Sequence, residues 1–218
     1  PHRVAYGVYC VLEEGYWGRD HGNDEGIPPD GFERTLAGIF PAGGAYDDAS
    51  FGGLGAGDGQ GGAGITPIVA NSWMHFMNAE VAVMTGGDPT SETLAGIRSH
   101  LNKVDDIPGA PAMDQAAIDN YIANFTAEWT AASSLDAKLE LWAEEFFITQ
   151  RGNGIDAYNS YRRNGYPKNL QPMVEPDPGP FPVSMWYPQN YAANNSNVTQ
   201  KSDLTQRVFW NTNGPAVD

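Results

Sequence analysis

The sequence predicts a mainly α-helical fold, built from helix hairpins between long irregular loops and an ordered C-terminal tail. Three observations lead there. Between Thr66 and Gly165 the apolar residues recur at three-and-four spacing in four separate stripes. Residues 1–65 are dominated by turn chemistry, and "FGGLGAGDGQGGAG" packs eight Gly into fourteen residues, a composition that forms no core by itself. Beyond Gly165 the chain is rich in Pro and Asn, as suits a tail that wraps over packed helices. The 218 residues read as one unit: a loop-rich segment 1–65, helix hairpins 66–165 and a wrapping tail 166–218.

Each element has its own signals. "RVAYGVYCVL" alternates well enough for one strand or extended segment. Thr66-Pro67 offers a capping hydroxyl and then Pro at the first helical position, so the first helix is expected to open there. Val69, Trp73, Phe76, Met77 and Met84 form its stripe, and Gly86-Gly87 stops it. A second helix opens at Asp88-Pro89, carries Leu94, Ile97, Leu101 and Val104, and ends at "IPGAP". The third carries Ile118, Tyr121, Ile122, Phe125 and Trp129. After a break at Ser133-Ser134, Leu135, Leu139, Trp142 and Phe146 mark the fourth. That helix is expected to continue, bent near Gly152 and Gly154, through Ile155, Tyr158 and Tyr161. Short connections favour two antiparallel hairpins side by side, tetratricopeptide-like in shape but without a repeated motif.

The helix end "DAYNSYRRNGYP" holds two of only twelve basic residues. Arg162 and Arg163 fall in the last turn, where cations meet the partial negative charge of the helix end. Asn164-Gly165 supplies a left-handed cap and Pro167 forbids continuation. Local physics accounts for the stop but not for two arginines, whose planar fork favours fixed carboxylate or carbonyl partners. Glu80, on or near a buried stripe, is the candidate carboxylate for Arg162 or Arg163.

Composition excludes some classes. Twenty-seven acidic against twelve basic residues give a net charge of −15, which leaves no basic face for nucleic acid. No run approaches the ~20 apolar residues of a spanning helix. The single Cys10 forms no internal disulfide and reads as a small buried hydrophobe rather than a reactive thiol. "AYGVY" before it lacks the features of a lipoprotein cleavage site. The start at Pro1 implies processing or the C-terminal part of a longer protein.

"RDHGNDEG" gathers Arg19, Asp20, His21, Asp24 and Glu25, a set that a hydrolase or a metal would also use. A glycosidase needs two carboxylates at fixed separation on rigid supports, which a Gly-rich loop does not promise. Asx-turns and salt links to Arg19 and Arg34 describe this loop more simply. The Asp-x-Asp-x-Asp-Gly calcium loop is absent, and "GGLGAGDGQ" misses the RTX repeat by one position. Gly57, Gly59 and Gly62 spell G-x-G-x-x-G without a leading strand or a following Lys-Ser/Thr. His75 and His100 have no second ligand at i+4 and read as structural. No metal and no cofactor is expected. Trp73, Trp129, Trp142 and Phe146 belong to the core, whereas Tyr16, Trp17, Tyr46 and Phe51 sit in polar loops where rings can stack on sugar faces.

"WAEEFFITQRGNGIDAYNSYRRNGYP" resembles the late helix of SusD/RagB-like proteins, nutrient-binding outer-membrane lipoproteins of Bacteroidetes. There an aromatic run, a Gly pair, an acid-Ala-aromatic step and Arg-Arg-x-Gly-Tyr-Pro succeed one another. Here these are Phe146 and Phe147, Gly152 and Gly154, Asp156 to Tyr158, and Arg162 to Pro167. "WGRDHGNDEGIPPDGFERT" with "FPAGGAYDD" is similar to the family's long loop before the helices, and "FMNAEVAVMTG" to its helix with an Ala-Glu pair, Ala79-Glu80. "WYPQNYAANNSN" and "RVFWNTN" resemble its closing segment. Family members are longer and begin with a lipidated cysteine, so the resemblance implies the C-terminal half, with the lipid anchor on a missing N-terminal segment. It further implies a cell-surface protein that is not an enzyme. Such a protein binds an oligosaccharide or peptide and closes as a lid over a SusC-like TonB-dependent channel. The loops from Tyr16 to Phe51 would face ligand or channel, with Trp17 and Tyr46 stacking and Arg19, Asp20, His21 and Asp24 as polar contacts. A secreted polysaccharide hydrolase and a purely structural surface subunit are the alternatives.

Overall fold

The computed structural model describes residues 66–106 and 113–211. The expected strand, Cys10, the Gly-rich segment, "IPGAP" and the loop candidates Trp17, Arg19, Asp20, His21, Asp24 and Tyr46 lie outside these residues. The described part is mainly helical and contains no strand. Its helices are α1 (Asn71–Met84), α2 (Thr90–Leu101), α3 (Gln115–Ala131), α4 (Leu135–Thr149), α5 (Gly154–Asn164) and α6 (Gln189–Asn194), with a 3-10 turn at Asn102–Asp106 after α2.

The first helix begins at Asn71, not at Thr66-Pro67. Short helices are stabilised chiefly by the face they bury, and that face starts with Ser72 and Trp73 and continues through Phe76 and Ala79. Ile68 and Val69 precede it and stand 80% and 70% exposed. Met77 and Met84, expected on the stripe, are exposed as well. At 100° per residue both lie beyond the Trp73 border of a line centred on Phe76. After Met84, Gly86 takes φ +76°, and the Gly87 amide closes onto the Ala82 carbonyl at 2.7 Å.

Side-chain caps set α3, α4 and α5, and an Asp turn precedes α2. Asp88 accepts from the Thr90 amide and hydroxyl at 3.0 and 2.6 Å ahead of α2. Asp114 caps α3 and Ser134 caps α4, each accepting a backbone amide of the first turn. The fourth helix does not run on bent into the fifth. It ends at Thr149, Gly152 turns left-handed, and Asn153 opens α5 by accepting the Asp156 amide at 3.2 Å. A fresh cap with its own acidic partner makes two helices where a bend would keep one.

α1 lies along α2, α4 packs on both, and α3 packs on α2. Trp73, Phe76, Ala79, Ile97, Phe125, Trp129, Trp142, Ala143 and Phe146 form the core. Phe76 stacks on Phe146 with centroids 5.3 Å apart, and Trp142 tilts onto Phe146 at 5.4 Å. Each core indole N–H has an acceptor: Trp73 donates to the Thr149 carbonyl, Trp129 to the Thr90 hydroxyl and Trp142 to the Phe76 carbonyl. Burying three indoles is favourable here because none strands its polar edge. Leu135, assigned to the α4 stripe from sequence, stands exposed at the first position of the helix. Beyond Gly165, which takes φ +76°, the described tail to Asn211 is irregular except for α6, and Val183 and Ser184 within it are buried.

Candidate functional site

Consecutive helical residues point about 100° apart, and the two arginines that end α5 accordingly serve different neighbours. Arg163 meets Glu80 of α1 through two parallel bonds, Nη1 to Oε1 at 2.5 Å and Nη2 to Oε2 at 2.8 Å. The Glu80 hydrogen bond raises the Arg163 pKa further above its ordinary value, against the opposing effect of burial. Arg162 is buried and turns toward the tail. It donates to the Val183 carbonyl at 3.1 Å and to Asn159 Oδ1 at 2.8 Å. Its guanidinium lies over the Tyr158 ring at 4.8 Å and the Trp210 ring at 4.5 Å. No carboxylate among the described residues pairs with it, and its Nε has no hydrogen-bond partner there. Two ring faces and a carbonyl thus stabilise this buried cation in place of an acid.

A second fastening runs along α4. Asp136, Glu140 and Glu144 succeed one another at i+4 and so share one face, and each receives the tail. Tyr166 Oη and Lys168 Nζ donate to Asp136 at 2.5 and 2.6 Å. The Lys168 amide donates to Glu140 at 2.6 Å and Asn169 to Glu144 at 3.3 Å. The Lys168 bond, with Tyr166 second, holds the Asp136 carboxyl below its usual pKa, and the Asp136 bond pushes the Tyr166 phenol up. Farther on, Tyr158 donates to the Pro182 carbonyl at 2.7 Å, and Phe181 packs against Tyr158 and Tyr161.

What this anchorage carries is a surface of open rings. Trp186, Tyr187 and Tyr191 are 49%, 41% and 50% exposed. Tyr187 and Tyr191 meet edge to face at 6.2 Å, with Lys201 Nζ 5.3 Å above the Tyr187 ring. The Tyr187 backbone is pinned on both sides by one side chain: its amide donates to Gln200 Oε1 at 3.1 Å, and Gln200 Nε2 donates to its carbonyl at 2.9 Å. From Pro178 to Gln200 no side chain is charged. Among the described residues no three His, Cys, Asp or Glu come together as a metal group. His75 meets Glu92 at 2.8 Å, and His100 is on a different helix, its pKa lowered by burial.

Sequence reasoning brought Glu80, Arg162 and Arg163 forward and left open which arginine takes the carboxylate; geometry gives it to Arg163. Tyr187 and Tyr191 entered only as part of the closing segment, and Gln200 lies outside it. The signal for them was a charge-free aromatic run inside a strongly acidic chain. No family model, curated protein or solved structure matches the chain.

Proposed function

We propose that the chain is part of a SusD/RagB-like nutrient-binding protein, held at the outer membrane through a lipid anchor outside these residues. It closes as a lid over a SusC-like TonB-dependent channel and captures an oligosaccharide or peptide without catalysis. In this reading α1 with α2 and α3 with α4 are the tetratricopeptide-like hairpins, and the loop residues Trp17, Arg19, Asp20, His21, Asp24 and Tyr46 face ligand or channel.

One observation carries it: every residue of the Arg-Arg-x-Gly-Tyr-Pro motif except the variable position has a fastening task. Arg162 holds the tail, Arg163 binds Glu80 of the Ala-Glu pair, Gly165 caps α5, Tyr166 reaches Asp136, and Pro167 is fully buried. Segments that resemble the family separately are thereby tied to one another. A lid of this type works by different contacts in open and closed states, which requires a scaffold that moves as one piece.

The test is affinity purification of the tagged native protein from detergent-solubilised outer membranes. A TonB-dependent β-barrel channel recovered in near-equal amount is the expected result. Recovery of the protein alone, or from the soluble fraction only, overturns the reading.

A further inference from the structure

We propose that Tyr187 and Tyr191, with the amides of Gln189 and Asn190, form a binding subsite for an uncharged oligosaccharide. The proposal rests on the nutrient-binding reading and names the ligand class at a site outside the loops discussed above.

The first argument is rigidity without burial. An exposed tail tyrosine ordinarily costs conformational entropy to hold in place. Here Gln200 gives both ends of its side-chain amide to the Tyr187 backbone, and the Pro188 carbonyl accepts the Ala192 amide in the turn that carries Tyr191. The backbone that carries both rings is held while the rings stay 41% and 50% exposed, with Lys201 over Tyr187 alone, an arrangement that lowers the ordering cost of binding.

The second argument is chemical. A pyranose offers an apolar C–H face and a rim of hydroxyls that both donate and accept. Ring faces suit the first, and primary amides, which also donate and accept, suit the second. Gln189 and Asn190 lie between Tyr187 and Tyr191, are exposed, and their side chains bond to no described residue. A charged ligand finds little here, because no side chain from Pro178 to Gln200 is charged at neutral pH, and Lys201 is followed closely by Asp203. The chain's net charge of −15 opposes polyanions in addition. A peptide would be read by a strand edge, a groove or a charged pocket, and the ring pair presents none of these.

The experiment is affinity electrophoresis of the full chain in native gels containing amylopectin, xylan, galactomannan or, as the charged comparison, polygalacturonate. At least one neutral polysaccharide should retard the protein. Tyr187→Ala and Tyr191→Ala should each weaken that retardation about tenfold, with melting temperatures unchanged. Gln200→Ala, which leaves both rings present, should weaken it by a smaller factor. Retardation by none of the neutral polymers, by polygalacturonate alone, or equally for wild type and both tyrosine variants overturns the subsite. So does loss of channel co-purification in Tyr191→Ala with glycan retardation intact, which would make the ring pair a protein contact. Failure of glycan binding while the channel still co-purifies removes only the subsite; failure of both removes the lid reading with it.

Discussion

Arg163 and Glu80 stand 83 positions apart in the chain and meet as two parallel hydrogen bonds, joining the end of α5 to α1. Side-chain exposures of 43% and 19% place the pair between a surface ion pair and a buried one. Arg163→Ala and Glu80→Ala should each cost about 1–2 kcal/mol, read as the urea midpoint. The double variant should cost clearly less than the two losses added, since removing the second partner relieves an unpaired charge. Additive losses would mean that the pair has no coupling energy.

Arg162 is expected to matter more. Replacing it by Ala strips the Val183 carbonyl of a donor and opens the space between Tyr158 and Trp210, a loss of about 2–4 kcal/mol. The readout specific to the tail is amide exchange at Val183 and Ser184, which donate to Leu204 at 3.0 and 3.1 Å. Those amides should exchange faster in Arg162→Ala, while amides of the α1 and α2 core stay protected. Arg162→Lys should recover only part of the loss, because an ammonium does not stack between rings. Equal exchange in all three proteins would show that the tail is held by other contacts.

Gly96 of α2 packs directly against the Phe76 ring of α1. A Cβ there would stand 2.7 Å from Phe76 Cε2 and 2.8 Å from Cδ2. Phe76 is fully buried and stacked on Phe146, so the ring has nowhere to go. Gly96→Ala gains about 1 kcal/mol of helix propensity and loses about 1–3 kcal/mol to overpacking. The net should be a lower thermal midpoint, with Phe76→Leu, Gly96→Ala less destabilised than the sum of the two single changes. A stabilised Gly96→Ala protein would contradict this packing.

The Asp136 fastening sets a pH dependence whose sign follows from its groups. The folded pKa of Asp136 lies below the ordinary 3.8, through Lys168 first and Tyr166 second. Its contribution is therefore fully present above pH 3.8 and is lost as pH falls through the folded value. Tyr166 and Lys168 are raised above 10.0 and 10.5, so their contributions hold below those values and fade as pH rises past them. Wild type should exceed Asp136→Asn in urea midpoint across the neutral range, and the two curves should converge in acid. A gap that persists undiminished at the acid end would remove Asp136 as its source.

Much of the fold was legible because its signals are local. Asp88, Ser134, Gly86 and Gly165 act within a few residues of themselves, and the buried Trp and Phe positions recur at the spacing of a helix face. Failures came where local pattern competes with packing. Thr66-Pro67 offered a sound helix start, but Ile68 and Val69 stand exposed, and α1 begins only where Ser72 and Trp73 are buried. Gly152 and Asn153 permitted either a bend or a break, and the capping bond to Asp156 decided for a break.

The sequence by itself determined the stops at Gly86-Gly87 and Gly165 and which rings are core, and it singled out Arg162 and Arg163 as more than surface charge. Turn, cap and periodicity are properties of neighbouring residues, which is why they could be read in that way. Only the tertiary structure decided which arginine takes Glu80 and which takes the tail. The choice depends on what lies on each side of α5, and those neighbours come from α1 and from residues near 183 and 210. For the same reason Tyr187 is pinned beside Tyr191 only because Gln200, distant in the loop, folds back against the Tyr187 backbone.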